Sequence, residues 1–122
     1  MQEELYTKAN LTAESELKKK VTRLDHVALN VDNINSSASW YKENLGADVI
    51  YEDDSWAMLK VGESKIALTV ASQHPPHLGF EVKELSDIPS NSPSYHRDGS
   101  AYHYVTDPDG NTIEFVYYPR LS

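Results

Sequence analysis

The sequence predicts an α+β domain built from two βαβββ modules, the second with a shortened or missing helix. Three observations predict it. Short stretches of alternating apolar residues recur along the chain, one stretch of helical spacing follows the first of them, and the opening strand pattern returns after the breaker "ASQHPP". The length of 122 residues suits one core but not two independent domains.

Residues 1–21 read as a polar N-terminal extension. Its acids Glu14 and Glu16 precede Lys18, Lys19 and Lys20, an order that suits a helix dipole, so a short solvated helix is expected there. A single domain then runs over 22–120, with modules at about 22–72 and 76–118. In "LDHVALNV", Val27, Leu29 and Val31 share one strand face and His26, Ala28 and Asn30 the other. The period changes in "DNINSSASWYKENLG", where Ile34, Ala38, Tyr41 and Leu45 recur at helical spacing. Asp32 or Asn33 suits its N-cap, and Gly46 the position past its end. "ADVIYED", "WAMLKVG" and "SKIALTV" follow as three strands.

The second module opens with "HLGFEV", which places His77, Gly79 and Glu81 on one face and Leu78, Phe80 and Val82 on the other. "KELSDIPSNSPSYHRDGS" is rich in turn residues and leaves no room for a full helix. The strands "AYHYVT" and "NTIEFVYY" close the chain, joined by the turn "DPDG".

Strand parity selects three residues. If the apolar faces of these strands look toward the helix, His26, His77 and Glu114 all project from the opposite face. A glutamate among Thr112, Ile113, Phe115 and Val116 needs a partner, because an unpaired buried charge costs several kcal/mol. Two histidines and a carboxylate form a three-ligand metal set with open coordination positions, should those faces meet. For general acid–base work the candidates are His96, His103 and Tyr104, although either Tyr102/Tyr104 or His103/Val105 suits the inward face of "AYHYVT". His74, between the strands and beside two prolines, reads as a loop residue. Glu81 reads as a ligand-orienting or solvated acid, and Arg97 and Arg120 as surface cations with anion contact the sharper alternative.

Composition narrows the partners. There are no cysteines, so any metal must use His, Asp or Glu, and the cytoplasm is the expected compartment. The net charge of −8 without a basic stripe argues against nucleic acid and anionic membranes. No apolar run reaches the roughly 20 residues that span a bilayer.

The motifs "DHVALNV", "WYKENLG", "HLGFEV" and "DPDGNTIEF" give the chain from about 22 to 118 a resemblance to the vicinal oxygen chelate superfamily. That superfamily includes glyoxalase I, fosfomycin-resistance, bleomycin-resistance and extradiol dioxygenase proteins. The resemblance implies a curved, open mixed sheet around a central cavity, with one divalent metal on His26, His77 and Glu114. Glyoxalase I-like relatives add a fourth ligand in the strand matching "KIALT", where this chain has Ala67, and a methyl group cannot ligate. Three ligands favour Fe(II) or Mn(II) and a substrate chelated through adjacent oxygens. Ring-cleaving dioxygenase-like chemistry is expected first, and thiol transfer of the fosfomycin-resistance type next. A metal-free binding protein of the bleomycin-resistance type is the contrasting expectation. Because the short, Pro/Ser-rich segment 83–100 leaves its sheet face under-covered, a homodimer is expected.

Overall fold

The computed structural model describes residues 20–119. The expected N-terminal extension lies outside them except for Lys20 and Val21, and Arg120 lies outside as well. The chain divides into two compact units, and the boundaries fall inside two strands.

The first unit is Asp25–Leu78. It holds most of β1 (Val21–Asn30), then α1 (Ile34–Leu45), β2 (Asp48–Glu52), β3 (Trp56–Val61) and β4 (Ser64–Thr69). Helix α1 begins where the Asn33 side chain accepts the Ser36 N–H at 2.8 Å. It ends at Gly46, whose φ of 67° lets its own N–H reach back to the Lys42 carbonyl. Strands β1 and β4 run parallel with Val27 opposite Ile66 and Leu29 opposite Leu68, whereas β2–β3 and β3–β4 are antiparallel.

The helix buries Ile34 and Ala38 against Ala47, Ala57, Leu59 and Leu68, with Val31, Ile66 and Val70 packed around them. The facing of β1 is as expected, with Val31 packed here and Val27 and Leu29 opposite Ile66 and Leu68, but the burial is not. Val27 and Leu29 do not join this cluster, and Leu29 is 37% exposed. The small helix face is filled by β3 and β4, and the buried side of β1 is the one carrying His26 and Ala28.

The other unit comprises the described residues 20–24 and 79–119. Its strands are the ends of β1 and β5 (His77–Val82), a two-residue β6 (Ser94–Tyr95), β7 (Ala101–Thr106) and β8 (Thr112–Tyr117). The expected missing helix is replaced by one 3-10 turn, Leu85–Asp87. Glu84 N–H donates to Asp87 Oδ2 and Asp87 N–H to the Glu84 carbonyl, each at 2.9 Å, and Lys20 Nζ lies 3.3 Å from Asp87 Oδ1. This capped turn delivers Ile88 into a cluster with Val82, Ala101 and Phe115, and Val21, Phe80, Val105, Ile113 and Tyr117 pack against it. The segment expected to leave its sheet face bare therefore covers it with one isoleucine.

Hydrogen-bonded strands follow the order β2-β3-β4-β1-β5-β8-β7-β6, an eight-stranded mixed sheet. Among the described residues no helix is long and apolar enough to cross a membrane.

Candidate metal centre

His26, His77 and Glu114 are all buried. In the first unit the two histidines meet: Nε2 of His26 lies 3.2 Å from Nε2 of His77, with the rings edge-on. What holds them is their other nitrogens. His26 Nδ1 lies 2.7 Å from Asp25 Oδ2, and His77 Nδ1 lies 2.8 Å from the Pro75 carbonyl. A carbonyl and an ionised carboxylate only accept, so each Nδ1 carries the proton. With each ring carrying only its Nδ1 proton, the two Nε2 lone pairs would face one another, an arrangement that a shared cation converts from repulsive to favourable. Metal-bound imidazole nitrogens sit about 2.1 Å from an ion, so two neighbouring ligands end up close to this spacing. The donor chemistry thus fits a divalent metal.

The support behind each ring is specific. Asp25 is fully buried at its side chain, and its Oδ1 pairs with Lys65 Nζ at 2.8 Å. The loop before His77 is fixed by Asn30, whose side-chain amide donates to Thr69 Oγ1 at 2.8 Å and to the His74 carbonyl at 2.9 Å. His74 thus lends its backbone to the loop, in keeping with its reading as a loop residue. Ala67 pairs with Ala28 across β1–β4, on the strand face of His26. At that position it presents a methyl group and no donor.

Glu114 belongs to the second unit, where it is 1% exposed. Its Oε2 takes a hydrogen bond from His96 Nε2 at 2.8 Å, and the His96 ring stacks on Tyr102 with centroids 3.8 Å apart. The β7–β8 register settles which face of "AYHYVT" meets the acid. Tyr104 lies opposite Glu114 and Tyr102 opposite Val116, whereas His103 lies opposite Phe115. His103 therefore sits on the strand face of Ala101 and Val105, which pack in the apolar cluster, and away from Glu114. Tyr104 has its pKa raised, first by burial, then by the Glu114 charge, then by Tyr102. It keeps its proton through the ordinary pH range and so retains an O–H donor.

Glu81 pairs with Arg23 at 2.8 Å, and the Pro75 carbonyl holds the His77 ring instead. Asp25 and Lys65 were missed by the sequence reading. Strand alternation puts Asp25 on the face opposite His26 and so gives no sign of their contact. Lys65 was findable: it shares the parity of Ala67 and Thr69 and precedes Ile66, the partner of Val27.

An α+β fold with an eight-stranded mixed sheet and a buried imidazole pair is the architecture of a known superfamily. The chain belongs to the Glyoxalase/Bleomycin resistance protein/Dioxygenase superfamily, whose profile matches residues 23–89. Among curated proteins it is similar to the metallothiol transferase FosB of Staphylococcus epidermidis, 26% identical over 116 residues, covering 78% of this chain and 81% of that one. Among solved structures it is similar to methylmalonyl-CoA epimerase from Mycobacterium tuberculosis, with TM-score 0.69, 20% identity, and 82% and 90% of the two chains covered. A variant of the Streptomyces coelicolor methylmalonyl-CoA epimerase, bound to 2-nitronate-propionyl-CoA, matches with TM-score 0.67 and 17% identity over 82% and 99% of the chains. The epimerases share the fold, and at that identity nothing more is carried over.

Proposed function

We propose that this protein is an enzyme acting on a small molecule, in which His26, His77 and Glu114 hold one divalent cation, Mn(II) or Fe(II). The observation that carries the reading is the His26–His77 pair, anchored at both Nδ1 atoms with the Nε2 atoms 3.2 Å apart. Membership of the superfamily and the burial of Glu114 support it. When bound, the cation would act as a Lewis acid toward adjacent substrate oxygens. Tyr104, held protonated beside Glu114, would donate to the oxygen on which negative charge develops. His96 would fix the Glu114 carboxylate through its Nε2–H.

For the reaction we favour addition of a thiol to an electrophilic carbon. The curated relative is named a metallothiol transferase, which supports thiol transfer, whereas ring cleavage gains no support beyond the superfamily's breadth. Association of two copies belongs to the same proposal, and a monomeric mass by light scattering would count against it. Metal analysis after reconstitution is the first test, with one Mn(II) per chain expected in the native protein and none in His77→Ala at unchanged circular dichroism. Absence of uptake by the native protein sinks the enzyme reading in favour of a metal-free binding protein. Mixing the loaded protein with fosfomycin and small thiols should then yield a product heavier by one thiol. A loaded protein that forms no adduct rules out thiol transfer on that substrate.

A further inference from the structure

Asp25 raises a question that the three donors leave open. A carboxylate with a fully buried side chain is costly unless both oxygens are engaged, and here each has a different partner. Oδ1 takes Lys65 Nζ at 2.8 Å, and Oδ2 takes His26 Nδ1 at 2.7 Å. Lys65 comes from β4 and Asp25 from β1, so the ion pair crosses the one parallel ladder of this unit. Its structural role could end there, as a tie between neighbouring strands. The use of the second oxygen points further. The positive charge of Lys65 holds Oδ1 at ion-pair distance and leaves Oδ2 to accept from the imidazole.

We infer that Asp25, held in place by Lys65, is a positioning residue that locks His26 in the Nδ1–H tautomer with Nε2 directed at His77. The inference rests on the metal reading for its consequence but not for its geometry. A histidine ligand whose other nitrogen is fixed by a carboxylate binds metal more tightly, and loss of such a partner weakens binding about 10–100-fold.

The test separates this role from a strand tie. In Asp25→Asn, Lys65 retains the amide oxygen, so the NH2 group faces His26 Nδ1 and drives the ring to its Nε2–H tautomer. Nitrogen-15 NMR of the metal-free protein, read at a pH where the ring carries a single proton, should show Nδ1–H for His26 in the native chain. It should show Nε2–H in the variant. Titration with Mn(II) should show affinity about 10–100-fold weaker in the variant. Adding Lys65→Met frees the amide to turn its oxygen to Nδ1, and should restore both the tautomer and most of the affinity. A strand tie predicts the opposite, with the double variant no better than the single one.

Native His26 found as Nε2–H, Asp25→Asn found as Nδ1–H with native affinity, or a double variant without rescue would each overturn the inference. The native tautomer is read without any variant, so a misfolded Asp25→Asn does not shield it. Failure of the native protein to bind Mn(II) would refute the metal reading instead, and the metal-free NMR would still decide what positions His26.

Discussion

The two units solve the same two problems differently. Each must cover the apolar face of its strands, and each fixes a histidine through one ring nitrogen. In Asp25–Leu78 the cover is a 12-residue helix burying Ile34 and Ala38. In the other unit a single capped turn inserts Ile88. The histidines differ as well. His26 and His77 are gripped at Nδ1 and turn their Nε2 atoms toward each other, whereas His96 spends Nε2 on Glu114. A ring held at Nδ1 is prepared to ligate through Nε2, and a ring that donates from Nε2 is prepared to orient a carboxylate. Which nitrogen the backbone and neighbouring acids engage therefore separates candidate ligand from support, with the same side chain in both roles.

The strongest way to break the comparison of covers is to empty each one. Leu59 is fully buried under the helix, where the strands cannot close a void, so Leu59→Ala should cost about 3–4 kcal/mol. Ile88 sits on a turn that can settle inward, and Ile88→Ala should cost about 2 kcal/mol. Urea unfolding of both variants checks the order. Equal losses would mean that the turn is as rigid a cover as the helix. Next in size is the helix terminus. At Gly46, φ is 67° and a Cβ would meet no heavy atom within 4 Å, so Gly46→Ala carries only the cost of the left-handed backbone. That cost is about 1 kcal/mol, and a much larger loss would reveal crowding that the structure does not show.

The comparison of histidines is sharpened by removing the Glu114 charge. Burial is the larger cause of the raised Tyr104 pKa, and the carboxylate comes second. Glu114→Gln should therefore lower the Tyr104 pKa without returning it to the ordinary phenol value. Carbon-13 NMR of the tyrosine ring carbon bonded to oxygen reads this directly. An unchanged titration would mean that the charge does not reach the phenol.

Most of the architecture was legible because it is written in periodicity and punctuation. Asn33 and Gly46 bound the helix, and "DPDG" sets a hairpin whose register pairs Tyr104 with Glu114. What escaped was whatever depends on packing rather than pattern. The alternation in "LDHVALNV" identifies two faces but not which one lies deeper, and a helix offering Ile34 and Ala38 is too narrow to engage Val27 and Leu29. Asp25 escaped for a related reason, since alternation places neighbours on opposite faces and does not foresee a contact between adjacent side chains. Strand β1 starts at Val21, earlier than the alternation suggests, because its opening residues bond across to β5: Thr22 Oγ1 donates to the Glu81 carbonyl at 3.1 Å.

The smallest effect concerns how each unit fastens a turn with an aspartate. Asp53 Oδ2 takes the Tyr51 hydroxyl, and its Oδ1 accepts from Ser55 N–H and Oγ at 2.7 Å, so its pKa is lowered, first by Tyr51 and then by Ser55. Asp107 plays the same part before β8. It accepts from the Asn111 side chain and backbone at 2.8 Å and from Asp109 N–H at 2.9 Å, and its pKa is likewise lowered, chiefly by Asn111. A lowered folded-state pKa means that the unfolded chain takes up the proton first on acidification. The contribution of Asp107 is thus complete above the ordinary carboxylate range and disappears as the pH falls through its lowered folded-state value. Asp107→Ala should lower the urea midpoint at neutral pH, and the gap from the native protein should narrow in acid. Solvent at this turn keeps the effect small. A gap that stays constant with pH would show that Asp107 acts through turn shape alone, and would separate it from Asp53 if that residue's gap did close.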